Sequence, residues 1–310
     1  MGDLLLEVNN LYQCYEKNKL ILQDINLCVN KGEIVGLVGT NGSGKSTLMR
    51  AICGIIPFQK GTIKIDKVPI QQRTIAQRRK VGYFSADNNL YNELMVIDNL
   101  RIFQRIYGVS NQQVNQVIKE LNCTSLLNKR VGELSSGLRQ RVAIACTTMN
   151  EFQVLLLDEF TNALDIENKS NIIQYIRLLS QKDNAILITS HNIKDIQELC
   201  SHIYVLRNGK IIKQANVEQF MQESAMRNNQ WIICVDTNNL SSNSVEFIRK
   251  KYQTSITQNS LRIIVSEQEK AQALREMNEL SADIISLNNK IDNLEDAILD
   301  VIKEQPGGDL

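Results

Sequence analysis

The stretch Glu33-Ile34-Val35-Gly36-Leu37-Val38-Gly39-Thr40-Asn41-Gly42-Ser43-Gly44-Lys45-Ser46-Thr47-Leu48-Met49-Arg50-Ala51-Ile52 reads as three local structures in succession. Its opening is apolar and rich in β-branched residues, as in a strand buried on both faces. Its centre matches G-x-x-x-x-G-K-[ST], and its end reads as the start of a helix. The glycines allow the backbone to curl until successive N–H groups point into one concavity, and the dipole of the following helix adds positive potential there. Gly39, Thr40, Asn41, Gly42, Ser43, Gly44, Lys45, Ser46 and Thr47 are therefore candidate nucleotide-binding residues. Lys45 supplies a charge for the β- and γ-phosphates, and the Ser46 hydroxyl is a candidate Mg²⁺ ligand.

Working outward, Gln153-Val154-Leu155-Leu156-Leu157-Asp158-Glu159 is a second buried-strand run, ending in two acids. Such a strand delivers its last side chains to the carboxyl edge of a sheet, where α/β folds bind ligands. Asp158 is placed to complete a Mg²⁺ shell. Glu159 is the candidate general base for an attacking water.

Composition limits what else the chain can do. Lys+Arg 35 against Asp+Glu 34 leaves a formal charge of +1 over 310 residues, with no bias toward nucleic acid. The 7 cysteines are scattered singly, which argues against a zinc site or a disulfide framework. No run approaches the ~18 apolar residues that a membrane-spanning helix needs. Nor does the N-terminus read as a signal peptide. A membrane role would have to pass through a partner.

The stretch Glu133-Leu134-Ser135-Ser136-Gly137-Leu138-Arg139-Gln140-Arg141 resembles the L-S-G-G-Q signature of ATP-binding-cassette (ABC) proteins, and it lies just before the acidic strand as in that family. Thr161-Asn162-Ala163-Leu164-Asp165 resembles the D-loop, and Ile186-Leu187-Ile188-Thr189-Ser190-His191 ends in what resembles the switch histidine. His202, the other histidine, reads as structural. Tyr15 falls where the family places a ring on adenine. The resemblance runs from residue 3 to about 218 and implies a mixed-sheet P-loop ABC cassette that binds ATP with Mg²⁺. It also implies catalytic roles for Lys45, Glu159 and His191. Ser135, Ser136, Gly137 and Asp165 would reach across to the site of an opposed subunit, with Ser135 and Gly137 opening a helix whose dipole faces an anion.

Three departures stand out. The Q-loop glutamine falls at Ala86 in Val81-Gly82-Tyr83-Phe84-Ser85-Ala86-Asp87, so either Asp87 supplies part of the metal shell or water does. The signature carries Ser136 and Leu138 in place of glycine and glutamine. Phe160 replaces the proline after the candidate base. These variants resemble the exporter branch that energises ABC-2-type permeases, which handle drugs, antibiotic peptides or sodium.

Residues 92–150 carry apolar positions at helical period (Leu100, Phe103, Ile106, Tyr107) and should form the helical subdomain of a cassette spanning 1–222. In the family a groove beside it receives a coupling helix of the permease, and Leu90 and Tyr91 are candidates to line it. Residues 223–310 read as β-α-β-β-α-β-α, a small ferredoxin-like α+β domain. Asn293-Leu294-Glu295-Asp296-Ala297-Ile298 resembles the ending of ABC-2 exporter subunits.

The resemblance implies a peripheral ATPase on the cytoplasmic face of the cell membrane. It would pair head to tail with a second copy or a paralogous cassette and drive a separate ABC-2-type permease. A soluble ABC ATPase of translation or DNA repair would carry two cassettes, a coiled-coil insertion or zinc cysteines, and the sequence has none of these. A regulator that binds ATP without turnover would have lost Glu159.

Overall fold

A computed structural model of the chain describes residues 3–14, 20–85, 90–161, 164, 166–228, 230–238, 240–257, 260–289 and 294–304. The elements in chain order are β1 (Leu4–Cys14), β2 (Leu20–Asn30), β3 (Ile34–Val38), α1 (Lys45–Ile52), β4 (Lys60–Ile65), β5 (Val68–Pro69), α2 (Ile75–Arg78) and β6 (Val81–Phe84). Then come α3 (Val96–Tyr107), α4 (Asn111–Glu120), α5 (Ser136–Thr148), β7 (Val154–Leu157), α6 (Ile166–Ser180), β8 (Ala185–Ile188), α7 (Ile193–Leu199), β9 (His202–Arg207) and β10 (Lys210–Asn216). The last are α8 (Val217–Asn228), β11 (Gln230–Asp236), α9 (Ser242–Lys251), β12 (Gln253–Thr257), β13 (Ser260–Ser266), α10 (Glu267–Glu279), β14 (Ile284–Asn289) and α11 (Leu294–Glu304). Two compact units divide the chain, Met1–Val217 with Glu304–Leu310, and Glu218–Lys303.

In the first unit, one sheet has the order β10-β9-β3-β8-β7-β6. It is parallel except at β10, which runs antiparallel to β9. β3, β7 and β8 are buried at every residue. That is the pattern expected of uninterrupted Val/Ile/Leu runs covered on both faces. The registers Val35↔Leu187 and Leu155↔Ile186 align the ends of β3, β8 and β7, so the three following loops emerge side by side. A second, antiparallel sheet (β2-β1-β4-β5) packs its Leu6, Leu11, Leu22 and Ile63 into the same core as Leu48 and Met49 of α1.

Helices α3, α4 and α5 fall within residues 96–148. Ser110 starts α4 through a capping box with Gln113, satisfying N–H groups that the helix cannot satisfy itself. Gly108 closes α3 in the left-handed region, at φ 72°.

The second unit is a four-stranded sheet, β12-β13-β11-β14, antiparallel throughout. Alternating residues on one face (Ile233, Val235, Leu261, Ile263) bury against Ile248 of α9 and Ala273 and Met277 of α10.

Candidate functional site

The loop from β3 to α1 is shaped by its glycines. A side chain on Gly39 would place Cβ 2.1 Å from the Leu206 carbonyl, and Gly44 sits at φ 110° as the N-cap of α1. Both positions exclude larger residues. Thr40, Asn41 and Gly42 are exposed, whereas Ser43 is buried and its hydroxyl has no partner among the described residues. A buried, unsatisfied hydroxyl in a concavity of this kind is suited to a phosphate oxygen. Lys45 is 7% exposed, and its Nζ donates to the carbonyls of Gly39 (2.9 Å) and Thr40 (3.1 Å). Burial lowers its pKa, while the negative charges of Glu159 and Asp158 act to raise it. That coupling ties the ammonium electrostatically to both acids. Ser46 and Thr47, in the first turn of α1, are half-buried.

Asp158 follows β7 and is 5% exposed. Its Oδ1 accepts a 2.7 Å hydrogen bond from Thr189 Oγ1. Glu159 takes φ 54°, a left-handed conformation that costs a non-glycine residue on the order of 1–3 kcal/mol and persists where the surroundings impose it. Those surroundings are identifiable: the Glu159 N–H donates to Thr189 Oγ1 (2.9 Å) and to the Thr189 carbonyl (3.2 Å). The Glu159 carboxylate meets His191 Nε2 at 2.7 Å. The structure thus brings together Lys45, Asp158, Glu159 and His191 at the carboxyl edge of the sheet, where sequence reading expected them.

Two residues in this network were not legible as functional. Thr189 is fully buried and clamps both acids through one hydroxyl, yet in the sequence it is an ordinary strand-end threonine. Gln140, on α5, donates its side-chain N–H to the Phe160 carbonyl. It couples the helix of the signature to the segment after Glu159. Phe160 itself is completely buried, which accounts for a large apolar residue there.

Ser135 caps α5, its Oγ accepting from the Leu138 N–H at 3.3 Å. Ser135 and Ser136 are exposed, and Gly137 is buried. Beyond the acids, Thr161 Oγ1 lies 3.0 Å from Ser190 Oγ, joining the start of the D-loop stretch to the switch stretch. Ser190 Oγ in turn donates to Asp195, which is paired with Lys169. His202 Nδ1 lies 2.6 Å from Glu33 Oε1 and links the starts of β9 and β3. Leu90 lines a small groove with Phe84, Phe103 and Tyr107, and Tyr91 is exposed. Tyr15, Ala86, Asp87, Asn162, Ala163 and Asp165 lie outside the described residues.

A phosphate loop between a buried parallel strand and a helix, with two acids just past the end of β7, one strand removed in the same sheet, defines a P-loop nucleotide-binding fold. The family model described as "ABC transporter" matches residues 22–162. The chain is 29% identical over 214 residues to the ABC transporter ATP-binding protein NatA of Bacillus subtilis (strain 168), an alignment covering 67% of this chain and 87% of that one. It is 31% identical over 210 residues to the Nod factor export ATP-binding protein I of Rhizobium sp. (strain N33), covering 66% of this chain and 69% of the relative. Among solved structures it resembles cbiO1 from Clostridium perfringens, part of the ABC transporter complex cbiONQ. There the TM-score is 0.64 at 28% identity, covering 74% of this chain and 95% of that one. The chain belongs to the ABC transporter family: it is an ATP-binding subunit, and it is an ATPase.

Proposed function

We propose that this subunit powers a separate ABC-2-type export permease from the cytoplasmic face of the membrane, two copies closing head to tail around two ATP. The observation that carries this reading is that both halves of a composite site lie on one chain. Lys45, Asp158, Glu159 and His191 converge at one sheet edge, and the exposed Ser135 and Ser136 open a capped helix. No helix among the described residues is long and apolar enough to cross a membrane, so transport would fall to a partner chain. The groove beside Leu90 and Phe103 would receive that partner. The likeness to an export ATP-binding protein supports the direction.

Ser46 and Asp158 would hold Mg²⁺, which when bound neutralises charge on the β- and γ-phosphates. Asp158 suits this because Thr189 occupies only its Oδ1. Lys45 moves from the loop carbonyls to the phosphate oxygens, and the Ser43 hydroxyl gains an acceptor. Glu159 takes a proton from the attacking water as the water oxygen bonds to the γ-phosphorus and the bond to the β-phosphate oxygen breaks, leaving ADP and phosphate. His191 holds the Glu159 carboxylate in place. Ser135 and Gly137 of the opposed copy would cap the γ-phosphate.

The second unit supports a ferredoxin-like reading, because its order β-α-β-β-α-β folds into the antiparallel sheet β12-β13-β11-β14. The test of the whole proposal is co-purification from membranes. An ABC-2-type permease should accompany the full chain, and recovery of the chain with ribosomes or DNA instead would reject it.

A further inference from the structure

A cavity of about 340 Å³ opens at the edge of the main sheet opposite the phosphate loop. β3 and β6 run in the same direction, so the start of β6 at Val81 and the end of α1 at Ile52 both lie at that opposite edge. Its volume is within the range of about 300–1,000 Å³ usual for small-molecule sites. The walls are apolar: Ile52, Ile56, Phe58, Ile65 and Ile70. Arg73 and Arg78 also line it, and no acidic residue does among the described residues.

Arg73 is 5% exposed, and it is held without an ion pair among the described residues. Its Nη1 donates to the Ile65 carbonyl (3.0 Å), and its Nη2 donates to the Gln77 carbonyl and to Gln153 Oε1 (3.2 Å). Its Nε–H is buried and has no acceptor. Asp66, whose negative charge acts to raise the Arg73 pKa, accepts from Gln153 Nε2 at 3.0 Å and forms no ion pair with Arg73. Arg78 donates its Nε–H to the Arg73 carbonyl at 3.2 Å, and it too forms no ion pair among the described residues. A buried cation solvated only by neutral groups is costly, and a nearby anion offsets that cost. Burial also lowers the Arg73 pKa. Apolar walls with two arginines that form no ion pair among the described residues fit a ligand with a hydrocarbon body and one negative end.

We propose that this cavity binds a single-chain amphiphilic anion, an aliphatic carboxylate, with its chain against the isoleucines and Phe58 and its head at Arg73 and Arg78. The ligand would seat between the end of the P-loop helix and the strand that leads into the Q-loop stretch. Its chemistry differs from that of ATP, and so does its position.

The test is calorimetric titration of the full chain with decanoate below its critical micelle concentration, beside acetate and decyltrimethylammonium. Decanoate should bind with one site per chain, and the other two at least about tenfold more weakly. Ile55 is 59% exposed at the cavity, so Ile55→Glu should fold normally while adding a negative charge to the cavity lining. It should weaken decanoate binding about tenfold. Arg78→Gln, also at an exposed position, should weaken it about threefold. Equal binding of the cationic probe, or competitive displacement of decanoate by ATP, would overturn the proposal. Flotation with phosphatidylglycerol vesicles that Ile55→Glu abolishes, without decanoate binding, would overturn it in favour of a bilayer lipid.

Discussion

Thr189 Oγ1 donates to Asp158 Oδ1 at 2.7 Å and, through the same oxygen, accepts the Glu159 N–H at 2.9 Å. One hydroxyl on β8's exit thus fixes the orientation of one acid and the backbone of the next. The Glu159 backbone is left-handed, so the hydroxyl also helps to hold a conformation that would otherwise relax. Thr189→Val keeps the shape and removes this bond. It should lower stability by about 1–3 kcal/mol, because buried groups lose their partner. ATP turnover should fall about tenfold or more, with Thr189→Ser largely restoring it. Steady-state phosphate release and urea unfolding measure both, and a silent Thr189→Val would show that the clamp is dispensable.

Glu159→Gln leaves the side-chain shape and removes the base. Turnover is expected to drop by about 10²–10⁴-fold, the range typical of a lost general base. ATP should then hold the mutant as a dimer on size-exclusion chromatography with light scattering. Normal hydrolysis by this variant would refute the role given to Glu159.

Ala86 cannot ligate a metal or hold a water by its side chain. Ala86→Gln should therefore raise either Mg²⁺ affinity or turnover, read from Mg²⁺ titrations of the ATPase rate. An unchanged titration would mean that this position limits neither.

Phe160 is fully buried, and its carbonyl is bonded by Gln140. Phe160→Ala should cost about 3–5 kcal/mol, as other buried phenylalanine truncations do. Gln140→Leu should cost less, about 1–3 kcal/mol, through the orphaned carbonyl. Chemical denaturation separates the two, and the order of the effects is the prediction.

The Lys45 pKa is lowered by burial in the folded chain. At high pH, between that lowered value and the ordinary one near 10.5, the unfolded chain binds more protons than the folded one. Stability attributable to Lys45 should therefore rise with pH across that window and be flat below it. The measurement is the difference in denaturation midpoint between wild type and Lys45→Met from pH 8 to 10.5, without nucleotide. A difference that falls with pH would reverse the assigned sign.

Much of this site could be read before the fold was known, for physical reasons tied to particular residues. Gly39, Gly44 and Lys45 are legible because close backbone approach and a phosphate charge demand those residue types at that spacing. The runs Val154–Leu157 and Ala185–Ile188 are legible because a strand covered on both faces has no polar alternation to obscure it. Asp158 and Glu159 inherit their placement from such a strand. Thr189 and Gln140 escaped because their roles depend on atoms distant in the chain, 31 residues to Asp158 and 20 residues to the Phe160 carbonyl. No local pattern marks a threonine that will face an acid. The left-handed backbone at Glu159 was equally hidden, since nothing in its residue type favours it.

The order β3-β8-β7 puts the exits toward Lys45, His191 and Asp158 on three adjacent strands. Neighbouring strands are spaced by backbone hydrogen bonds at about 4.8 Å, so the outer two exits are roughly 10 Å apart. That span is a fixed gauge, calibrated by peptide geometry and indifferent to side-chain identity. Sequence drift can change what stands at each mark, but not the distance between the marks. A site ruled in this way can carry a buried Phe160 directly after Glu159 and still measure the same phosphate chain.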